Sequence, residues 1–306
     1  MKRKYMIIVL MAGALELTGC SQGTSNSAKN GTTGSENTII SESDIAILDT
    51  EDMFTERDRD TEYDESECTA ISLSDEETKC DSDGVKMDGQ TVTITEGGTY
   101  LLTGSLSNGS VVVDTDKTEK VQLILENVSI INEEGAGICV EQADKVFITL
   151  ADGSTNKIVS NSFTGNEDTN IDGAIFSRED LTLNGSGTLK ITSAAHGIVS
   201  KDDLVLTGGV YQIQSEKQGL SGKESVRITD ETFTITSGTD AIHSEDTDED
   251  TKGFVYITGG VLTLAAGGDG ISSSYVVQAD GGSFDISTSS TEIPVRRESR
   301  HKSMSF

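Results

Sequence analysis

The feature that most constrains the fold is a recurring pair of apolar positions. The runs "TLKI", "VYQI", "TFTI", "VLTL" and "SFDI" place Leu189/Ile191, Tyr211/Ile213, Phe233/Ile235, Leu262/Leu264 and Phe284/Ile286 at successive spacings of 22, 22, 29 and 22. Within each run the apolar residues alternate with period two, as in a strand with one buried side. A second set precedes them: Leu181/Leu183, Leu204/Leu206, Val226/Ile228, Val255/Ile257 and Val277. A third, "DGAI", "HGIV", "QGLS", "DAIH" and "DGIS", opens each unit between Asp172 and Ser272. Three short strands with Gly-rich corners such as "TGG" at 207–209 and 258–260 are too little for a propeller blade, which takes roughly 40 residues and four strands. They fit one coil of a parallel β-helix, in which like residues stack on like at the strand spacing of ~4.8 Å. The expected fold class is therefore all-β, a parallel β-helix solenoid of about 22 residues per coil. A sandwich or jelly roll is the competing all-β reading, and the period is the obstacle to it.

Residues 92 to 160 repeat the habit less regularly, at Val92/Ile94, Leu101, Val111/Val113, Leu123/Leu125, Val128/Ile130, Ile138/Val140 and Val146/Ile148. Coils are expected from about residue 85 to 290. The 32 glycines and the dominance of Thr, Ser, Val and Ile in the patterned runs argue against long helices. A formal net charge of −29 disfavours nucleic acid and anionic membrane surfaces as partners but not divalent cations.

The start, "MKRKYMIIVLMAGALELTGC", joins a basic cluster to an apolar run too short to span a bilayer, in the proportions of an export signal over residues 1–19. "LTGC" resembles a bacterial lipobox, which makes Cys20 the expected lipidation site and mature N-terminus. The expected location is the extracellular face of the cell membrane, held by acyl chains. Residues 20–68, polar and then acidic, read as a flexible tether whose few apolar residues, within "DMFTERDRDTEYDES", pack on the domain edge. The folded domain is expected over 69–292. The tail 293–306 is basic, holds the only proline, and offers no cap for a final coil; an interrupted reading frame and a natural basic tail both account for it. Cys68 and Cys80 either pair or stay as thiols.

Beyond the period, several stretches in order resemble a known family. "GQTVTITEGGTYLLTGSLSNGSVVVDT", "VQLILENVSI", "ADKVFITLADGSTNKI", "DGAIFSREDLTLNGSGTLKI", "HGIVSKDDLVLTGG" and "GDGISSS" are similar to the secreted clostridial carbohydrate-binding β-helix domains, from about residue 69 to 290. The resemblance implies a right-handed parallel β-helix like that of pectate lyases, bound calcium, and non-catalytic binding of acidic plant polysaccharide of the pectin or polygalacturonate kind. A monomer is expected.

Calcium takes six to eight oxygen ligands, mostly carboxylates and carbonyls. The run "HSEDTDEDTKG" at 243–253 holds Glu245, Asp246, Asp248, Glu249 and Asp250, and the surplus of the 29-residue unit falls within Asp246–Lys252. Asp246, Asp248 and Asp250 open like an EF-hand loop, but Thr251 and Ile257 stand where that loop needs Gly and Glu. The run is either a calcium site completed by Asp240 and Asp269 from neighbouring corners, or a hydrated loop. A second acidic set, Glu167, Asp168 and Asp172, lies in "NEDTNIDG".

Arg178, Lys201 and Lys223 recur at spacings of 23 and 22 and so share one corner on consecutive coils. Like charges ~5 Å apart are costly unless paired, and Glu179, Asp202 and Glu224 follow them. The row is either a salt-bridged ladder or a line of clamps for uronate carboxylates, which recur along a polysaccharide at a comparable step. With no Trp, and with Tyr211, Phe233 and Phe284 at ladder positions, recognition must be polar or calcium-bridged. No catalytic residue is nominated. A lyase on this scaffold needs an Arg or Lys base beside calcium; Arg178 and Arg227 are of the right type but unmarked. His196 and His243 lack a Cys or Ser partner at any telling spacing and read as surface residues. The sequence thus favours a non-catalytic acidic-polysaccharide binder, with a calcium-dependent polysaccharide lyase and a structural or adhesive surface protein as rivals.

Overall fold

The computed structural model describes residues 47–164 and 170–289. Expectations for Cys20, Glu167, Asp168 and the tail after 289 lie outside the described residues. Among those described, 24 strands form one sheet of 15 and one of nine, with a single helical turn at Glu56–Arg59. The larger sheet divides at the long strand Lys120–Asn132, whose first half pairs with Lys145–Leu150 and whose second half pairs with Thr155–Ser160. The chain therefore has three strand faces, visited in turn. Face one carries Ile138–Gln142, Gly173–Ser177, His196–Ser200, Leu220–Gly222, Ile242–Ser244 and Ile271–Ser273. Face two carries Lys145–Leu150, Asp180–Gly185, Asp203–Leu206, Ser225–Ile228, Phe254–Ile257 and Val277–Ala279. Face three carries Thr155–Ser160, Thr188–Ser193, Val210–Ser215, Thr232–Ser237, Val261–Ala266 and Ser283–Thr288. From Ile138 on, each strand pairs in parallel with the one three places ahead, so three successive strands make one rung of a stack.

The register places the repeated apolar residues in columns through the core. Leu189, Tyr211, Phe233, Leu262 and Phe284 stack in that order, as do Leu181, Leu204, Val226, Val255 and Val277. Tyr211 and Phe233 are fully buried with ring centroids 4.9 Å apart, and the Tyr211 hydroxyl donates to Gly208 O at 2.6 Å. A phenylalanine so enclosed contributes on the order of 3–5 kcal/mol, judged by what its truncation costs elsewhere. The corner after face two turns through glycine because the backbone there is left-handed: Gly260 has φ +94°, and a Cβ on it would meet Glu231 O at 2.5 Å. One inward assignment differs from expectation. Tyr100 and Leu102, stacked on Leu123 and Leu125, are buried, whereas Leu101 is half-buried on the outer side. Three consecutive apolar residues, Tyr-Leu-Leu, satisfy both phases of a period-two pattern, and stacking chose the phase.

The rung of 29 residues carries its surplus between Ser244 and Phe254, since Leu220 pairs with Ile242 while Val226 pairs with Val255. At the stack's start Val85–Asp88 pairs antiparallel with Thr91–Ile94, and Thr69–Leu73 covers Gly98–Leu106. At its far end Ser283–Thr288 is mostly exposed, with Ile286 at 42 %. Cys68, Cys80 and Cys139 are all free thiols.

The packed structure begins before Thr69. Residues 48–60 run lengthwise over the outer side of face two, from Gln278 on the last rung back to Gln122, and bury Asp58 to 2 % exposure. This part of the expected tether is a strap, because a single carboxylate and several main-chain carbonyls find donors on the strands beneath.

Candidate functional site

The outer side of face one forms a concavity of about 340 Å³ bounded by Asp172, His196, Lys201, Gln218, Lys223, His243 and Glu245, among others. Its floor is Val199, Ser221 and His243, the middle of an outward column that runs Phe176, Val199, Ser221, His243, Ser272 in the register of the parallel ladder. Phe176 and Val199 continue towards the start of the stack into a small apolar cluster with Cys139 and Ala136. The floor thus grades from apolar to polar along the stack.

One wall is the cation corner. The ladder continues around it, with Lys201 N donating to Ser177 O at 2.8 Å and Lys223 N to Ser200 O at 3.0 Å. Ser177 and Ser200 close the turn by donating their hydroxyls to Glu179 O at 2.6 and 3.0 Å. That arrangement sends the next residue outward on every rung. Arg178, Lys201 and Lys223 are 35 %, 39 % and 40 % exposed, so their heads reach solvent while Arg178 and Lys201 lie over the Phe176 ring at 5.5 and 5.4 Å. The lysines do not pair with the carboxylates that follow them. Lys201 faces Asp172 at 3.6 Å, and Lys223 faces Asp248 at 3.0 Å and Asp246 at 3.8 Å. Arg178 reaches Glu141 at 2.6 Å. Glu224 is taken by Lys252 at 2.6 Å. Asp202 is left among acids, and burial, then the charges of Asp180, Glu224 and Asp203, push its carboxyl up to about 6.

The other wall holds His196, Gln218 and Asp240, aligned by the same ladder, with Gly219 beside them. A Cβ at Gly219 would sit 2.4 Å from Ile235 Cγ2 in the core, so the backbone there packs too closely for any side chain. Asp172 meets His196 Nε2 at 3.3 Å, while His196 Nδ1 accepts from Gln218 N at 3.3 Å. Burial alone would raise the Asp172 carboxyl, but the His196 hydrogen bond and the nearby cations outweigh it and hold it below the usual range. Asp240 accepts from Ser272 Oγ at 2.7 Å and from Asp269 N at 2.8 Å, and faces His243 Nδ1 at 3.1 Å. Burial opposes its ionisation, yet these partners bring its carboxyl down to about 2. Ser272 Oγ and the Asp240 carboxylate share the same ring nitrogen of His243, with Ser272 at 2.7 Å. A nucleophilic triad needs them on opposite nitrogens, so this cluster orients His243 and does not activate Ser272. Both histidines, read from sequence as surface residues, line the concavity, His196 in its wall and His243 in its floor. The signal for them was their phase, His196 one residue before the buried Gly197-Ile198 and His243 one after the buried Ala241-Ile242 of face one.

The acidic insertion is organised from within. Asp246 is buried, and its Oδ1 accepts from the N–H groups of Asp248 and Glu249 at 2.7 and 3.0 Å. Burial pushes its carboxyl up, but those N–H groups and Lys223 outweigh that and keep it low. Asp248 points to Lys223, and Glu245 lies 3.8 Å from His243 Nε2. The structure brings Asp240 and Asp269 together through a main-chain bond rather than as two carboxylates. Among the described residues no three His, Cys, Asp or Glu side chains converge as metal ligands, and the described set, Asp172, Asp240, Glu245, Asp246, Asp248, Asp250 and Asp269, does not by itself fit a calcium ion. Arg227 lies on face two, paired with Asp203, and takes no part in the concavity.

The arrangement lines the concavity with the half-buried cations Lys201 and Lys223, the rings of His196 and His243 and the Gln218 amide, with Arg178 one rung further along the same corner.

A family model described as "Carbohydrate-binding domain-containing protein" matches residues 88–305. A curated protein of the same description from Acetivibrio thermocellus is 34 % identical over 137 residues, which is 44 % of this chain and 48 % of that protein. The chain thus spans about half the length of the curated relative it matches. A solved structure, described as the polysaccharide lyase-like protein from C. thermocellum in a gadolinium derivative, is similar with a TM-score of 0.63 and 32 % identity over 70 % of this chain and 92 % of that one.

Proposed function

Because the chain belongs to the family of carbohydrate-binding domain-containing proteins, we propose that the concavity on face one binds an acidic polysaccharide of the polygalacturonate kind. The observation that carries this reading is the cation row: Arg178, Lys201 and Lys223 stand half-buried at one corner of three successive rungs, their heads paired with Glu141, Asp172 and Asp248, and Lys201 and Lys223 line the concavity. Their step is set by the ~4.8 Å strand spacing, and a uronate chain lying along the stack presents carboxylates at a comparable interval. Arg and Lys hold such groups through charge-assisted hydrogen bonds, each contributing roughly 1.5–3 kcal/mol.

The same proposal takes the stack as a right-handed parallel β-helix, the hand that parallel crossovers almost always adopt. It places the protein at the extracellular face of the membrane, tethered by a lipid on Cys20, as a monomer. No helix among the described residues is long and apolar enough to cross a membrane. Calcium remains part of the proposal as an ion required for tight binding, supported by the family resemblance and by the gadolinium in the related structure; no residue of the concavity is assigned to it. The lyase reading is kept because that related structure is described as polysaccharide lyase-like.

One experiment separates the readings. The soluble domain is incubated with polygalacturonate and with a neutral glucan, with and without calcium, following both pull-down and the absorbance of unsaturated product. Pull-down without product is expected. Arg178→Ala with Lys201→Ala should weaken polygalacturonate binding by roughly tenfold or more and the glucan much less. Equal loss on both ligands removes the carboxylate clamp, product formation makes the protein a lyase, and neither binding nor product leaves a structural role.

A further inference from the structure

The outer side of face two also presents a row, and the chain covers it with its own acidic segment. Gln122, Phe147, Thr182, Val205, Arg227, Tyr256 and Gln278 are aligned rung upon rung. The strap of residues 48–60 contacts six of them. Leu48 N donates to Gln278 Oε1 at 2.9 Å, the Phe54 ring lies 6.0 Å from Tyr256, and Met53 O accepts from Arg227 at 2.9 Å. Arg57 donates to Gln122 Oε1 at 2.8 Å and sits 4.5 Å over the Phe147 ring. At the centre the Asp58 carboxylate takes Lys145 Nζ at 2.8 Å and Thr182 Oγ1 at 2.7 Å. Asn184 Nδ2 donates to the main-chain oxygens of Asp58 and Asp60 at 3.1 and 3.0 Å, and the Thr207 hydroxyl donates to Asp58 O.

Two properties of this contact stand out. It is mainly polar: the strap contributes one carboxylate, one guanidinium and several carbonyl oxygens, with Phe54 as its chief apolar contact. Such a surface rehydrates on release, so opening it forfeits little hydrophobic free energy. What lies beneath is a built carboxylate cradle, since Thr182 and Asn184 are fully buried and Lys145 is 16 % exposed, and buried polar groups of this kind need a partner. The strap runs along the stack axis, the direction an extended polysaccharide takes across strands.

We propose that the outer row of face two is a second binding row for acidic polysaccharide, and that residues 48–60 occupy it as an internal substitute whose Asp58 carboxylate takes the place of a uronate carboxylate. Displacing the strap opens the row, with Lys145, Thr182 and Asn184 holding the ligand carboxylate and Phe147 and Tyr256 facing its rings. The inference rests on the acidic-polysaccharide reading for the choice of ligand but not on the concavity of face one.

The test uses the full chain with polygalacturonate as probe. In the unsubstituted protein, added polygalacturonate should speed tryptic cleavage after Arg57 and Arg59. Asp58→Ala should bind it roughly fivefold more tightly, and adding Lys145→Gln should remove that gain. Phe54→Ala, which loosens the strap without touching the cradle, should shift binding in the same direction and serves if Asp58→Ala does not fold, as judged by circular dichroism. Binding by the unsubstituted protein without a gain in Asp58→Ala or Phe54→Ala overturns the second row and leaves the first intact. Binding that appears only in those variants, and persists after Arg178→Ala with Lys201→Ala, supports the second row and overturns the first. No binding by any of them overturns both.

Discussion

Three corners between faces two and three turn on Gly-Gly, at 208–209, 259–260 and 281–282, while the rung between the first two carries Asp230–Glu231. Glu231 is 1 % exposed; its Oε1 accepts from Thr229 Oγ1 at 2.7 Å, and its Oε2 is buried without a partner. Burial, reinforced by the Asp230 charge, pushes its carboxyl from 4.5 up to about 7. The folded chain therefore holds this proton more tightly than the unfolded chain does. The stabilisation is complete below about pH 4.5, falls as pH rises, and is gone above about pH 7, a change on the order of 3 kcal/mol. Denaturant titrations between pH 5 and pH 8 should show stability falling with pH in the native sequence and a flatter profile in Glu231→Gln, which keeps the shape and loses the titration. An unchanged slope in Glu231→Gln would assign the pH dependence to other groups, such as Asp202.

At the scale of the element, the insertion at 245–253 behaves as a fastened loop. Asp246 holds its first turn through two N–H groups, and Lys252 holds its end through Glu224 at 2.6 Å and Glu249 at 2.8 Å. Removing the buried acceptor leaves two donors unmet, so Asp246→Ala should cost about 1–2 kcal/mol and make the loop the first site of proteolysis. Asp250→Ala, at an exposed position, should change neither. The insertion was legible in sequence because the columns on either side, Phe233 and Leu262, count residues without ambiguity. The cation corner was legible for the same reason. The partners of Lys201 and Lys223 were not, since a corner side chain can lean along the chain or across a face, and here Asp172 and Asp248 draw them across. Of the strap, the sequence showed only a few apolar residues to pack on the domain edge, as Phe54 does on Tyr256; its main contacts, carbonyl oxygens, the Asp58 carboxylate and Arg57, leave no apolar period to detect.

Across the whole molecule, charge opposes the acidic-polysaccharide binding proposed for the concavity. The chain carries a formal net charge of −29, so a polyanionic glycan is repelled at long range and attracted only within reach of Arg178, Lys201 and Lys223. The two effects differ in range, and salt separates them. The screening length falls from about 30 Å at 0.01 M to about 10 Å at 0.1 M and about 3 Å at 1 M. Salt first removes the repulsion between the distant acidic surface and the glycan, while contacts of ~3 Å in the concavity weaken later. Association of polygalacturonate should therefore quicken between about 0.01 and 0.1 M salt, and affinity should pass through a maximum before falling towards 1 M. Stopped-flow association and equilibrium binding across that range measure both. A steady fall in affinity from the lowest salt would mean that the local cation row outweighs the acidic surface at every distance.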